Sequence, residues 1–185
     1  DFYVPMTRSE NINLTNVNPC ISNPPLVCFD IAYYSFTLLL PGSPMGYTLS
    51  SQVNFRINGM NNLTAGYSGI GATYTAEIPG TTAPATGIQN NSARFTGTDL
   101  VLVCTGNNFS YSFAATDPDG DQLYYRFCAA YRSTSQGGSA PPPEPPPYQS
   151  IPYNTPAYSE SQPMGAGITL NSNSGLLQGI APAAG

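Results

Sequence analysis

Apolar residues in this chain recur mostly at alternate positions, in short runs closed by turn residues. From Val27 to Leu38, Phe29, Ile31 and Tyr33 share one face at period two, and Pro41-Gly42-Ser43-Pro44 ends the run. From Tyr47 to Arg56, Tyr47, Leu49, Val53 and Phe55 are the apolar positions, followed by the turn residues Asn58-Gly59 and Asn61-Asn62. Gly71 to Ile78 makes another strand, stopped by Pro79-Gly80. Strict alternation of this kind predicts half-buried β-strands, whose side chains point to opposite faces in turn. No window carries the i, i+3, i+4, i+7 spacing of an amphipathic helix, and 19 Pro and 18 Gly are spread throughout. The predicted class is all-β, with strands and turns spaced as in a β-sandwich.

The second half continues in the same manner. After a polar loop from Thr81 to Ser92 come the apolar run Leu100 to Cys104 and two strand-like runs, Phe109 to Ala115 and Gln122 to Cys128. Between the last two lies Thr116-Asp117-Pro118-Asp119-Gly120-Asp121, predicted as the turn of a hairpin. A Ser-, Gly- and Pro-rich insert, residues 133–147, ends in a proline run expected to be a solvated polyproline II loop joining two strands. Residues 167–179 read as strand, turn, strand.

Composition narrows the function. The 185 residues are 41% hydrophobic and only 8% charged, with five Arg, no Lys, no His and a net charge of -5. A basic patch able to neutralise phosphates is absent, which argues against nucleic acid and against an anionic membrane surface as partners. No apolar run approaches the ~20 residues that span a bilayer as a helix, so direct membrane insertion is not expected. Four cysteines without Cys-x-x-Cys spacing and without His argue against zinc and for disulfides, hence an extracellular location. Cys20 and Cys28 enclose a seven-residue loop, and Cys104 and Cys128 flank the aspartate turn. Cys20–Cys28 and Cys104–Cys128 are the expected pairs, although four cysteines allow other connectivities. Sequons stand at Asn13, Asn62, Asn90 and Asn108.

Catalytic chemistry has little to work with. A nucleophilic cysteine lacks a histidine base, and no two of the ten acids sit in the apolar context that raises one carboxyl pKa. No catalytic or cofactor-binding residue is assigned, and a non-enzymatic role is expected. Asp117, Asp119 and Asp121 have two readings. They could hold a structural Ca²⁺, which takes six to eight oxygens and would need help from Asp99, Glu77, Asn side chains or carbonyls. Alternatively they serve the turn itself, where Asp, Pro and Gly are the ordinary residues. Thirteen tyrosines could line a glycan-binding surface, but most fall at strand periods where packing accounts for them.

The Asp-Pro-Asp-Gly-Asp turn, followed by Ile168-Thr169-Leu170-Asn171 and Gly175-Leu176-Leu177-Gln178-Gly179, resembles the cadherin-like or immunoglobulin-type repeats of bacterial surface proteins. Asn18-Pro19-Cys20, Asn23-Pro24-Pro25-Leu26-Val27-Cys28, Gly71 to Gly80 and Asn90 to Phe95 are similar to a domain of large secreted Bacteroidetes proteins of the gliding-motility-associated type, with PKD-like repeats. The chain departs from that pattern at Asn54-Phe55-Arg56-Ile57-Asn58, where the family carries paired cysteines. The resemblance implies tandem immunoglobulin-like or cadherin-like β-sandwiches, residues 1–96 and 97–185, the first lacking its N-terminal strand and the second its last; one sandwich with a long insertion is the alternative arrangement. It further implies a stalk or fibre segment of an adhesin-like cell-surface protein, with neighbouring repeats of the same or an identical chain as partners. Two alternatives are a glycan-binding module of a secreted protein and a filament subunit assembled by strand exchange.

Overall fold

The computed structural model describes residues 2–13, 28–54, 56–82, 90–97, 101–133 and 144–182. Among them the architecture is all-β: ten strands and one short 3-10 turn at Tyr67–Gly69. The strands are β1 (Met6–Asn13), β2 (Cys28–Tyr34), β3 (Tyr47–Val53), β4 (Gly71–Ile78), β5 (Arg94–Phe95), β6 (Asn108–Ser112), β7 (Ala115–Thr116), β8 (Tyr131–Ser133), β9 (Ile168–Leu170) and β10 (Leu176–Ile180). They form four antiparallel sheets ordered β1-β2, β3-β4-β8, β5-β7 and β6-β10-β9.

The alternating runs fold as their period requires. In β2 the residues Phe29, Ile31 and Tyr33 are half-buried while their neighbours are exposed. β3 and β4 pair along their whole length, from Tyr47 opposite Ile78 to Val53 opposite Ala72. The connection after β4 returns over the start of β3 through a close backbone approach. A Cβ on Gly46 (φ 76°) would lie 2.1 Å from the Ile78 carbonyl oxygen, and one on Gly80 would lie 2.0 Å from that of Pro44. Only glycine fits both sides of such a contact.

Among the described residues the buried apolar side chains fall into two sets by position: Leu63, Ala72 and Ile151 on β4 and the segments around its sheet, and Ile168, Leu177 and Ala181 on or just after β9 and β10. The first depends on residues 144–165, which are stitched to the β3-β4-β8 sheet mainly by backbone groups. Arg132 N–H donates to the Gln149 carbonyl and Ile151 N–H to that of Ala130, both at 2.8 Å. Leu63 bridges Tyr153. The Gln52 side-chain amide pairs with both backbone groups of Glu144, at 3.2 and 3.0 Å, as a neighbouring strand would. Ser133, 1% exposed, donates its hydroxyl to the Val53 carbonyl at 3.1 Å and so ties β8 to β3 across the end of β4.

Strand pairing runs across the boundary expected between residues 96 and 97. β4 hydrogen-bonds β8, and β5 hydrogen-bonds β7, so each of these sheets takes strands from both halves of the chain. The hairpin expected around the aspartate turn is also absent. β6 pairs with β10, and residues 122–130 form no strand. The apolar run at 101–104 is likewise not a strand. Of the insert at 133–147, Ser133 belongs to β8 and residues 134–143 lie outside the described residues. The tail behaves as predicted, with β9 and β10 joined by a turn in which Asn171 Oδ1 accepts from Asn173 and Ser174 N–H, both at 3.0 Å.

Candidate functional site

The aspartate turn is built by its own first residue. Asp117 Oδ1 accepts from the N–H of Asp119 at 2.9 Å and of Asp121 at 3.3 Å, while Gly120 N–H donates to the Asp117 carbonyl at 3.2 Å. This is an Asx-type turn, with Gly120 taking the positive φ (80°) that closes it. Asp119 faces outward to another segment. Its Oδ2 accepts from Asn91 N–H at 2.6 Å, and Oδ1 from the Asn91 side-chain amide at 3.0 Å. These bonds favour the ionised form, so the Asp119 carboxyl lies below the usual carboxylate range, the Asn91 backbone N–H contributing most and its amide next.

The segment after the turn is anchored by Tyr125. Its N–H donates to the Ser172 carbonyl at 2.8 Å, and its hydroxyl oxygen accepts from Ala115 N–H at 2.9 Å. Its ring lies against Gly175, where a Cβ would come within 2.8 Å of it. Gly175 also takes a positive φ (68°), so the β9–β10 turn and the Tyr125 ring fit only with glycine there.

A calcium ion would have to share these oxygens: Asp117 Oδ1 and both Asp119 oxygens already accept hydrogen bonds, and a six- to eight-oxygen shell would need their remaining lone pairs and further oxygens. Among the described residues no group of three or more His, Cys, Asp or Glu side chains is placed to hold a metal ion. Of the additional ligands considered, Glu77 lies on β4 opposite Thr48, and Asp99 lies outside the described residues.

The expected disulfides are not formed. Cys28 and Cys128 are free and exposed, which excludes both Cys20–Cys28 and Cys104–Cys128, while Cys104 is disulfide-bonded. For Cys104–Cys128 the physical reason lies in the lost hairpin; Cys20 lies outside the described residues. Cys104 precedes a turn whose Gly106 N–H bonds the Ala181 carbonyl, just beyond one end of β10. The chain leading to Cys128 is fixed at Tyr125 to Ser172, in the turn at the opposite end, and then runs into β8 of another sheet.

A second polar cluster was not legible as a site. Arg56, singled out only as part of a departure from the family pattern, donates to the Tyr131 carbonyl at 2.8 Å. Tyr153 has its phenol pKa raised, chiefly by burial, with Glu160 and Cys128 also raising it and Arg56 opposing. Glu160 accepts from the Ser150 hydroxyl. These residues come from separate parts of the sequence, and no spacing links them. Of the sequon residues, Asn13, Asn90 and Asn108 are exposed, and Asn62 donates its side chain to the Pro163 carbonyl at 2.9 Å. No protein-family model, curated protein or solved structure matches the chain.

Proposed function

We propose that the chain is a non-enzymatic structural module of an extracellular, adhesin-like surface protein, a stalk or fibre segment of immunoglobulin-like or cadherin-like type whose neighbours are further repeats. The observation that carries this reading is the aspartate turn. The densest concentration of charge in the chain serves as a backbone clamp, Asp117 closing the turn and Asp119 holding Asn91. The strands shared between the two halves support the same reading, because load on either half passes through sheet hydrogen bonds of both. The sparsely charged, Asn-, Ser- and Thr-rich composition suits an environment outside the cell.

Pulling single molecules of a tandem array of the chain tests this. A discrete unfolding event for each copy, at a force well above that of a disordered linker, is expected. Smooth extension without such events rules the stalk role out. Calcium, proposed at Asp117, Asp119 and Asp121, is tested separately by thermal unfolding with and without EDTA. A lower midpoint after chelation supports the ion, and an unchanged one removes it. The glycan-binding alternative draws support from exposed Tyr3, Tyr74 and Tyr124, since flat exposed rings can stack on sugars. A glycan array without hits eliminates it.

A further inference from the structure

Among the described residues the β1-β2 ribbon is a sheet of its own, and no third strand pairs with either of its outer edges. Every residue of β1 except Ile12 is exposed. A bare strand edge offers a row of unpaired N–H and C=O groups to another strand.

Such edges are commonly guarded by like charges or proline. β1 has no proline, and its two charges are of opposite sign, Arg8 and Glu10, placed symmetrically about Ser9. They cancel, so this edge is neutral in a chain of net charge -5. We infer that the outer edge of β1 docks a second copy of this chain, antiparallel and centred on Ser9. In that register Arg8 lies opposite Glu10 of the second copy, and Glu10 opposite its Arg8. Directly opposed side chains in antiparallel strands stand about 4.5–5.5 Å apart at Cβ, within reach of an ion pair. The two-fold relation makes the contact isologous, so both charge pairs form together.

The side chains are already set for this. Arg8 lies over the Tyr33 ring at 3.8 Å and pairs with Glu10 at 3.1 Å, while the Tyr33 hydroxyl donates to Glu10 at 3.1 Å. All three share one face of the ribbon, because Arg8 is opposite Tyr33 and Glu10 opposite Ile31. In the dimer each Arg8 has a Glu10 beside it on its own strand and another across the interface, giving four alternating charges. With the two-fold axis perpendicular to the sheet, the neighbouring registers are centred on Arg8 or Glu10. They set like charge against like, which is destabilising. The irregularity between Met6 and Arg8 bends the strand and limits the paired length. The contact therefore belongs to the small, transient class of interfaces.

Sedimentation of the chain at increasing concentration, up to on the order of 100 μM as a transient contact requires, is expected to show a reversible dimer. Arg8→Glu and Glu10→Arg are each expected to weaken association by about tenfold or more, because each sets like charges face to face. An equimolar mixture of the two restores it, since the first variant then presents two acidic side chains at these positions and the second presents two basic ones opposite them. Ser9→Pro abolishes it, with an unchanged far-UV circular dichroism spectrum reporting an intact fold. Three results overturn the proposal: a wild-type chain that stays monomeric throughout, a dimer unaffected by Arg8→Glu and Glu10→Arg, or a mixture of those two variants that does not reassociate.

Discussion

The β1-β2 and β3-β4 pairs are near copies in outline, each an antiparallel pair of one eight- and one seven-residue strand. Their environments are opposite. β4 has β8 on its second edge and buries Ala72 and Thr73. β1 and β2 bury no residue completely. What separates them is the chain that arrives later. Residues 144–165 return along β8 and over Leu63, and Ile151 closes the core at 2% exposure. A two-stranded ribbon is marginal in water, and a third strand with apolar cover makes the difference. Pairing defines both regions, but only cover makes one of them a core.

The sharpest way to break the comparison is to truncate matched isoleucines. Ile151→Ala is expected to cost about 2–5 kcal/mol, as for a buried aliphatic side chain. Ile31→Ala, at a half-buried ribbon position, should cost only about 1 kcal/mol from the smaller area uncovered. Denaturant unfolding of the two variants measures the gap, and equal losses would mean the ribbon packs as well as the sheet. Gly46→Ala comes next. Both its φ and its contact with the Ile78 carbonyl resist a side chain, and a loss of about 1–3 kcal/mol is expected from the strain. Gln52→Leu removes both hydrogen bonds to Glu144 and should cost on the order of 1 kcal/mol for each bond lost. Hydrogen exchange then rises at the Glu144 N–H.

The smallest effect belongs to the aspartate turn. Asp119→Ala should lower the thermal midpoint slightly, and the decrement should depend on pH. The folded pKa of Asp119 is lowered, so its contribution is complete above the unfolded carboxylate pKa and is lost as pH falls through the folded value. Thermal scans of wild type and variant should converge in strong acid and separate toward neutral pH. A difference independent of pH would mean that the Asn91 contact involves no charge.

The strands most readable in the sequence are those with one apolar face. β2, β3 and β4 lie within their predicted runs, as does the β9–β10 pair, because burial on one side writes a period of two into the residues. β1 escapes detection because Met-Thr-Arg-Ser-Glu-Asn-Ile-Asn buries neither face. Phe109 and Tyr111 do share a face of β6 and, with Phe113 just beyond it, line an apolar groove with Val101, Val103 and Leu177. The partner strand, however, is β10 and not the run at 122–128, since Asp117 closes the turn without folding the chain back into a ladder. At the candidate site the turn residues were legible and Asn91 was not. A contact 28 residues away leaves no local pattern. The Arg56, Tyr153 and Glu160 cluster is invisible for the same reason.

The bond between β4 and β8 joins residues 59 positions apart, through the Thr73 hydroxyl and the Arg132 carbonyl. During synthesis β3 and β4 emerge with one edge bare and must wait for more than a third of the chain before β8 and Ile151 arrive to complete the sheet. Non-local pairing of this kind slows folding and prolongs the exposure of an unpaired edge. The Gly46–Gly80 contact needs only the chain up to residue 80, so it can close in that interval and hold the two strands in register until the late segment docks.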